Sequence, residues 1–371
     1  MRILITGGAG FIGSHMAENF SNKGWEVVVL DNFTTGKREN LSHIPQNLKI
    51  VEGDIRDTSI VNEVMAGCDA VIHLAALASV PASFKNPVET YEVNFMGTQN
   101  VLEAALQHKV KRVTFASSSA VYGDTEILPI TEKNPDNPLS PYGLSKLLGE
   151  KLCRFYNTAF GLPVVIFRFF NVYGPRQNPF SEYSAVIPKF LSIIKDGGTP
   201  VIFGDGEQTR DFIYISDLVH AHERALEETA KEGIRYKVLG INSSVESKTE
   251  TAKAAENAEE SLSDELIPHT SYLIPENNSS NLIPEKNNTL YLIPNTYNLG
   301  SGEKTSLNDL IKIISGQLGK EVKPKYDPPR SGDILHSYCE ISKINDVLTF
   351  KPAITMEKGI EKMLKYYNLA N

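Results

Sequence analysis

The chain has 371 residues, enough to bury a sizeable core as one large domain or two modest ones. Its formal charge of -8 excludes broad binding to nucleic acid or an anionic membrane, so an anionic ligand must be held by a local cluster of cations and backbone N–H groups. Cys68, Cys153 and Cys339 are odd in number and lack metal-ligand or Cys-x-x-Cys spacing, which predicts reduced structural thiols and no metal site. Strand-like residues begin at Arg2 without a basic or apolar leader, and no window holds the roughly 18 apolar residues of a membrane span. A soluble, cytoplasmic protein is expected.

In chain order, short apolar runs alternate with helix-length segments: "RILITG", "EVVVLD", "LKIVEGD", "AVIHLAA", "VKRVTFASS" and "PVVIFRFF". Such continuous runs describe parallel strands buried on both faces, and "SHMAENFSNKGW" and "PVETYEVNFMGTQNVLEAALQHK" carry helical periodicity between them. The fold class predicted is α/β, a Rossmann-type doubly wound parallel sheet with right-handed crossovers. After Arg168 the alternation loosens, which divides the chain into a dinucleotide-binding domain, 1–168, to which parts of later segments can return, and a smaller mixed α/β substrate domain, 169–371. Residues 235–296 interrupt the latter with Ser, Glu, Asn and Ala, then four uneven copies of "LIP". Prolines recurring this often rule out a long helix or central strand, so a low-complexity insertion at a surface loop is expected, with a docking arm as the alternative.

The first strand leads into "TGGAGFIGSH", with Gly7, Gly10 and Gly13 at three-residue spacing before a predicted helix. Gly7 suits a sharp turn, Gly10 close approach of backbone to a pyrophosphate, and Gly13 tight packing of helix on strand. The phosphates would then lie at the helix N-terminus, where unpaired N–H groups favour negative charge. Asp31, about 20 residues on, matches the carboxylate that accepts bonds from the ribose hydroxyls and repels a 2′-phosphate. NAD is favoured over NADP, with Lys37 and Arg38 downstream weighing the other way.

A strand ending in serines, with Ser118 near its end, precedes "SPYGLSK". Tyr142 and Lys146 stand one helical turn apart on one face. A nearby ammonium and the positive nicotinamide ring would together pull the tyrosine pKa down from ~10, making Tyr142 a general acid/base for a sugar or alcohol hydroxyl that Ser118 orients.

In order along the chain, "TGGAGFIGSH", "GDIRD", "HLAALASVPASF", "SSSAVYG", "SPYGLSK", "RFFNVYGPRQ", "GDGEQTRDFIYISDL", "YNLGSG" and "PRSGDILHSY" resemble the extended short-chain dehydrogenase/reductases, in particular the nucleotide-sugar epimerase/dehydratase family. The resemblance runs from Met1 to about Glu232 and resumes from Tyr297 to about Asn345. It implies Ser118, Tyr142 and Lys146 as catalytic residues. It adds Phe11, Ile12, Asn32, Asp54, Ile55, Leu74, Ala75, Asn94 and Phe169 to the NAD site. It also implies Asn171, Val186, Phe203, Arg210, Arg330, Asp333 and Ser337 at a UDP-sugar, where arginine forks suit the diphosphate.

The reaction turns on the residues around Ser118. Dehydratases resembling this family carry acids there for water elimination, and the decarboxylases usually keep the glutamate, whereas "SSAVY" has neither. The expectation is C4 epimerisation through a 4-keto sugar, with Ser337 leaving room for a 2-acetamido group. UDP-GlcNAc/UDP-GalNAc is favoured, with UDP-Glc/UDP-Gal as a second pair. The rivals are a UDP-glucose or UDP-glucuronate 4-epimerase, a dehydratase or decarboxylase, and a non-catalytic NAD-binding regulator. Family members usually dimerise through helices corresponding to Val88–His108 and Ser140–Phe160, so a homodimer is expected.

Overall fold

The apolar runs fold as parallel strands β1 (Arg2–Thr6), β2 (Glu26–Asp31), β3 (Leu48–Glu52), β4 (Ala70–His73), β5 (Arg112–Ser118) and β6 (Val164–Phe169). The computed structural model describes residues 1–44, 47–178, 186–227, 295–329 and 334–369, which all fall in one compact unit of the chain. Helices α1 (Phe11–Asn22), α2 (Thr58–Met65), α3 (Val80–Lys85), α4 (Pro87–Tyr91), α5 (Gly97–Gln107) and α6 (Pro141–Phe160) alternate with the strands.

The later elements are β7 (Asn171–Tyr173), α7 (Val186–Lys195), β8 (Val201–Phe203), β9 (Thr209–Arg210), β10 (Phe212–Tyr214) and α8 (Ile215–Glu227). They continue with β11 (Asn295–Leu299), β12 (Thr305–Ser306), α9 (Leu307–Leu318), β13 (Lys325–Asp327), β14 (His336–Ser337), α10 (Ser342–Leu348) and α11 (Met356–Tyr366).

Among the described residues the main sheet runs β11-β6-β5-β4-β1-β2-β3, reversing direction between β1 and β4. Successive side chains of a strand point to opposite faces, and the core divides accordingly. Ile3, Ile5, Val27, Val29, Ile72 and Phe167 join Met16 and Phe20 of α1 and Leu218 and Ala221 of α8. Leu4, Val28, Leu30, Val71, Phe115 and Ile166 face Val61 of α2, Leu102 of α5 and Cys153 of α6. Helices on both faces explain why the strands read as unbroken apolar runs.

The seventh strand comes from late in the chain: β11 pairs with β6 from Asn295↔Val165 to Leu299↔Phe169. The expected insertion therefore stops short of residue 296, because Asn295 and Thr296 already have backbone partners in the sheet; its remainder, 235–294, lies outside the described residues, as do Arg330 and Asp333. The single helix expected after Pro87 is also divided. Residues Glu92–Met96 form a π turn between α4 and α5, and Asn94 sits in it. No helix among the described residues is long and apolar enough to cross a membrane, and no cluster of His, Cys, Asp and Glu among them could hold a metal.

A buried ion pair joins α6 to β6. Arg168 donates from Nε to Glu150 Oε1 at 2.8 Å and from Nη2 to Glu150 Oε2 at 2.7 Å, and Nη2 also reaches Asp136 at 2.7 Å. Glu150 takes a further bond from Ser117, and the guanidinium lies 4.6 Å over the Tyr122 ring. Removing one member of such a pair leaves the other desolvated, typically at a cost of about 3–5 kcal/mol. Asp136 stays beside Arg168, which puts Glu150→Gln at the lower end, about 3 kcal/mol. The expected result is a thermal midpoint lowered by several degrees; an unchanged midpoint would show that this pair contributes nothing net.

Candidate active site

β1 turns into α1 at Gly7, whose φ of 69° is in the left-handed region that glycine enters freely. A Cβ on Gly7 would lie 2.8 Å from the Ala75 backbone N, and one on Gly13 would overlap the Gly7 carbonyl oxygen. Glycine at both positions lets turn, helix and the end of β4 pack in contact. The N-cap, Gly10, offers no side chain to the first turn of α1, so N–H groups there stay available to an anion. They face a groove of about 290 Å³ lined by Gly7, Gly10, Phe11, Ile12, Asp31, Asn32, Asp54, Ile55, Leu74 and Ala75.

The Asp31 carboxylate ends β2, with Oδ2 accepting from Ala9 N at 2.9 Å and Oδ1 from Phe33 N at 2.8 Å. Each oxygen keeps a second acceptor direction for ribose hydroxyls. Arg38, the cation that could favour a 2′-phosphate, instead pairs with Glu52 and lies 4.1 Å over the Phe33 ring. Asp54 accepts three bonds from Arg56 and one from Asn32, and the Arg56 bonds foremost pull its pKa down to about 2. The uncapped turn, the paired glycines and the ribose-facing carboxylate fit NAD.

Two residues expected at the NAD site, Asn94 and Phe169, are not among those lining the groove. Asn94 is buried, accepting from Leu77 N at 2.7 Å and donating to Leu77 O and Ser145 Oγ, both at 3.0 Å. Its amide is committed to tying the Leu74–Ala78 segment to α6. Phe169 is packed in the core, 5.7 Å from the His222 ring, and does not line the groove.

Ser118 closes β5, the strand between β4, whose continuation lines the groove, and β6, which leads into β7. Helix α6 begins beside it. Ser140 caps the helix by accepting from Gly143 N at 3.0 Å, Pro141 occupies the first turn, and Tyr142 N donates to Ser83 Oγ at 3.1 Å. A Cβ on Gly143 would stand 2.7 Å from Ala120 O, and one on Gly149 2.5 Å from the Phe115 ring. The two glycines flank Lys146 at three residues on either side, so this helix face rests directly on β5. Ser118 lies close enough to Tyr142 to favour its phenolate, and Lys146 Nζ donates to Ala116 O at 2.8 Å.

Electrostatics here differ from expectation. Burial pushes the Tyr142 phenol up, opposed by the neighbouring Ser118, so the lowering expected from Lys146 is not found. The ammonium is turned toward the β5 backbone, and its own pKa is lowered from 10.5 to about 8 by burial. Both groups are biased toward neutrality.

A second cavity, also about 290 Å³, opens on the β6 side. Asn171, Val186, Phe203 and Arg210 line it together, although 39 residues separate the first from the last. Ser337 is in register with Arg210 across the β14–β9 pairing, outside the lining itself. Lys189, Gln208, Tyr173 and Leu307 also line it and were missed in the sequence, where nothing in the local spacing sets them apart. The helix-spaced glycines either side of Lys146 were a legible signal for the close α6–β5 contact.

Comparison with known proteins gives a consistent result. Residues 3–238 match the model described as "NAD dependent epimerase/dehydratase family". The chain is similar in structure to UDP-N-acetylglucosamine 4-epimerase from Methanobrevibacter ruminantium in complex with UDP-N-acetylmuramic acid, with TM-score 0.79, 31% identity and coverage of 99% of this chain and 98% of that one. It is similar to the UDP-glucose 4-epimerase of Thermus thermophilus in complex with NAD, with TM-score 0.73, 30% identity and 99% coverage of both chains. A UDP-N-acetyl-alpha-D-glucosaminuronate decarboxylase of Bacillus cytotoxicus is 41% identical over 61% of this chain and 71% of its own.

The lowered Lys146 pKa has a sign that can be tested. The unfolded chain holds this proton more tightly, so the stability contribution is complete above 10.5 and is lost as pH falls through about 8. At pH 7 the folded protein carries the cost of a buried ammonium. Lys146→Met should therefore raise the unfolding free energy of NAD-stripped protein by about 2 kcal/mol at pH 7, the gain shrinking at higher pH. Denaturant titrations at two pH values measure this, and a variant less stable than the parent at pH 7 would refute it.

Proposed function

The chain belongs to the NAD dependent epimerase/dehydratase family, and we propose that it catalyses C4 epimerisation of a UDP-hexose through a transient 4-keto sugar. The observation that carries this reading is the juxtaposition of the Tyr142 and Ser118 side chains at the end of β5, with Lys146 on the next turn of α6. NAD, when bound, supplies the hydride acceptor and a positively charged ring. Ser118 holds the sugar 4-oxygen, Tyr142 takes its proton and later returns it, and Lys146 secures the ribose side of the cofactor. Residues 1–168, with α8 and β11, form the NAD half, and the rest of 169–371 forms the sugar-nucleotide half. In that half Asn171, Val186, Phe203, Arg210, Arg330, Asp333 and Ser337 hold the UDP-sugar.

The similarity to a decarboxylase raises the second reading. Against it stands the absence of an acid at Ser119 or Ala120, while Glu150, bonded to neighbouring Ser117, is committed to Arg168. For the sugar, the small Ser337 side chain favours UDP-GlcNAc/UDP-GalNAc, with UDP-glucose and UDP-glucuronate as rivals.

Tyr142→Phe should lower turnover by about 10²–10⁴-fold while NAD remains bound. A side-by-side assay of UDP-GlcNAc, UDP-Glc and UDP-GlcA should yield C4 epimers, fastest with UDP-GlcNAc. Unchanged turnover in the variant would remove the tyrosine from the mechanism; a 4-keto or decarboxylated end product would favour the second reading.

We further propose a homodimer built on α5 and α6 with their flanking turns. Val88, Met96, Leu144, Phe155 and Phe160 are large apolar side chains left exposed there, Val88 by 68% and Phe155 by 56%. Large apolar side chains exposed in such number on α4–α6 suit an interaction site. Phe155→Glu should shift the mass measured by light scattering from dimer to monomer, and a parent protein that is already monomeric would dispose of the idea.

A further inference from the structure

Asp211 follows Arg210 in "QTRDF" and is 0% exposed, yet its carboxylate accepts five bonds, all from outside its own strand. Oδ1 accepts from Ser301 N at 2.6 Å and Ser301 Oγ at 2.8 Å. Oδ2 accepts from Gly302 N at 3.0 Å, Cys339 N at 3.3 Å and Cys339 Sγ at 3.2 Å. Every partner donates, which suits an ionised, acceptor-only carboxylate. Burial raises the Asp211 pKa, and the bonds from Ser301 and Cys339 oppose that rise. The fit is tight: a Cβ on Gly300 would stand 2.6 Å from Asp211 Oδ2 and 2.5 Å from Cys339 Sγ.

The backbone of the same residue holds the wall of the second cavity. Its carbonyl oxygen accepts from Asn171 N and Asn171 Nδ2, both at 3.0 Å, and its N–H donates to Ser337 O at 2.9 Å. Asn171 and Arg210 line the cavity, and Ser337 is the register partner of Arg210. One residue therefore joins three chain segments, around 171, 210 and 337, while its charge is gripped by a fourth, Ser301–Gly302.

We propose that Asp211 is a positioning residue for sugar-nucleotide binding: its caged carboxylate fixes the β9–β10 junction, whose backbone holds Arg210, Asn171 and Ser337 in place at the ligand. This rests on the reading of the second cavity as the UDP-sugar site. The NAD groove shares none of these bonds, so the inference separates the two ligands. Burial pushes the Cys339 thiol up, which keeps it the donor in this cage.

Asp211→Asn preserves shape but puts an NH₂ group opposite N–H donors whichever way the amide turns. The holoenzyme carrying it should bind UDP about tenfold more weakly by calorimetry and show a KM for UDP-sugar raised to match. Turnover number should change less than threefold, and NAD content should stay at the parent level. A merely structural role would instead lower NAD content and turnover together. Should that variant fail to fold, the Cys339 pair decides: Cys339→Ser keeps a donor and should bind UDP like the parent, while Cys339→Ala should bind about threefold more weakly. Parent-like UDP affinity in both Asp211→Asn and Cys339→Ala overturns the positioning role alone. A parent enzyme that binds no UDP overturns the reading of the cavity, and this inference with it.

Discussion

The contact between α6 and β5 is the constraint on which the candidate chemistry depends. A helix axis ordinarily stands some way from a sheet because side chains separate them. Here Gly143 and Gly149 take up little of that separation, leaving Ala120 O just past β5 and the Phe115 ring of β5 against the helix. Only then can Tyr142 reach Ser118 while Lys146, one turn on, reaches the carbonyl of Ala116. The Glu150–Arg168 pair anchors the same helix to the next strand.

Buried polar groups extend this arrangement across the sheet. Thr98 Oγ1 donates to Asn94 O at 2.6 Å, so it accepts from His73 Nε2 at 2.9 Å, and His73 Nδ1 accepts from Thr6 Oγ1 at 2.7 Å. Burial foremost lowers the His73 pKa, to about 3, in keeping with a neutral ring that has one donor and one acceptor. Thr6 precedes Gly7, while Asn94 is bonded to Ser145, which donates to Tyr142 O at 2.7 Å. A continuous hydrogen-bonded path therefore links the glycine turn to the tyrosine. Beside the second cavity, Asp211 has the corresponding place: a fully satisfied buried polar group that joins distant segments.

Burial also dominates the ionisation of the site. It raises the Tyr142 phenol and lowers the Lys146 ammonium, so the pair stands closer to neutrality than spacing alone suggests. Low dielectric makes any further charge brought beside the phenol count for more than it would in water. The same enclosure that disfavours the phenolate makes it responsive to a ligand's charge.

Much was legible along the chain because it depends on neighbours in sequence. Strands β1 to β6 appear as apolar runs, the glycine turn and Asp31 belong to one strand–helix–strand unit, and the spacing of Tyr142 and Lys146 puts them on one helical face. The π turn around Asn94, the core position of Phe169 and the identity of Asn295–Leu299 as the segment that returns to the sheet were not legible. Each is settled by partners dozens to more than a hundred residues away. Residue types and local periods, set by backbone geometry, were enough to specify a dinucleotide-type sheet and the members of the candidate triad. Which polar side chains face a ligand and which brace the structure was decided in three dimensions, because a buried donor or acceptor must find its partner wherever the packed chain provides one.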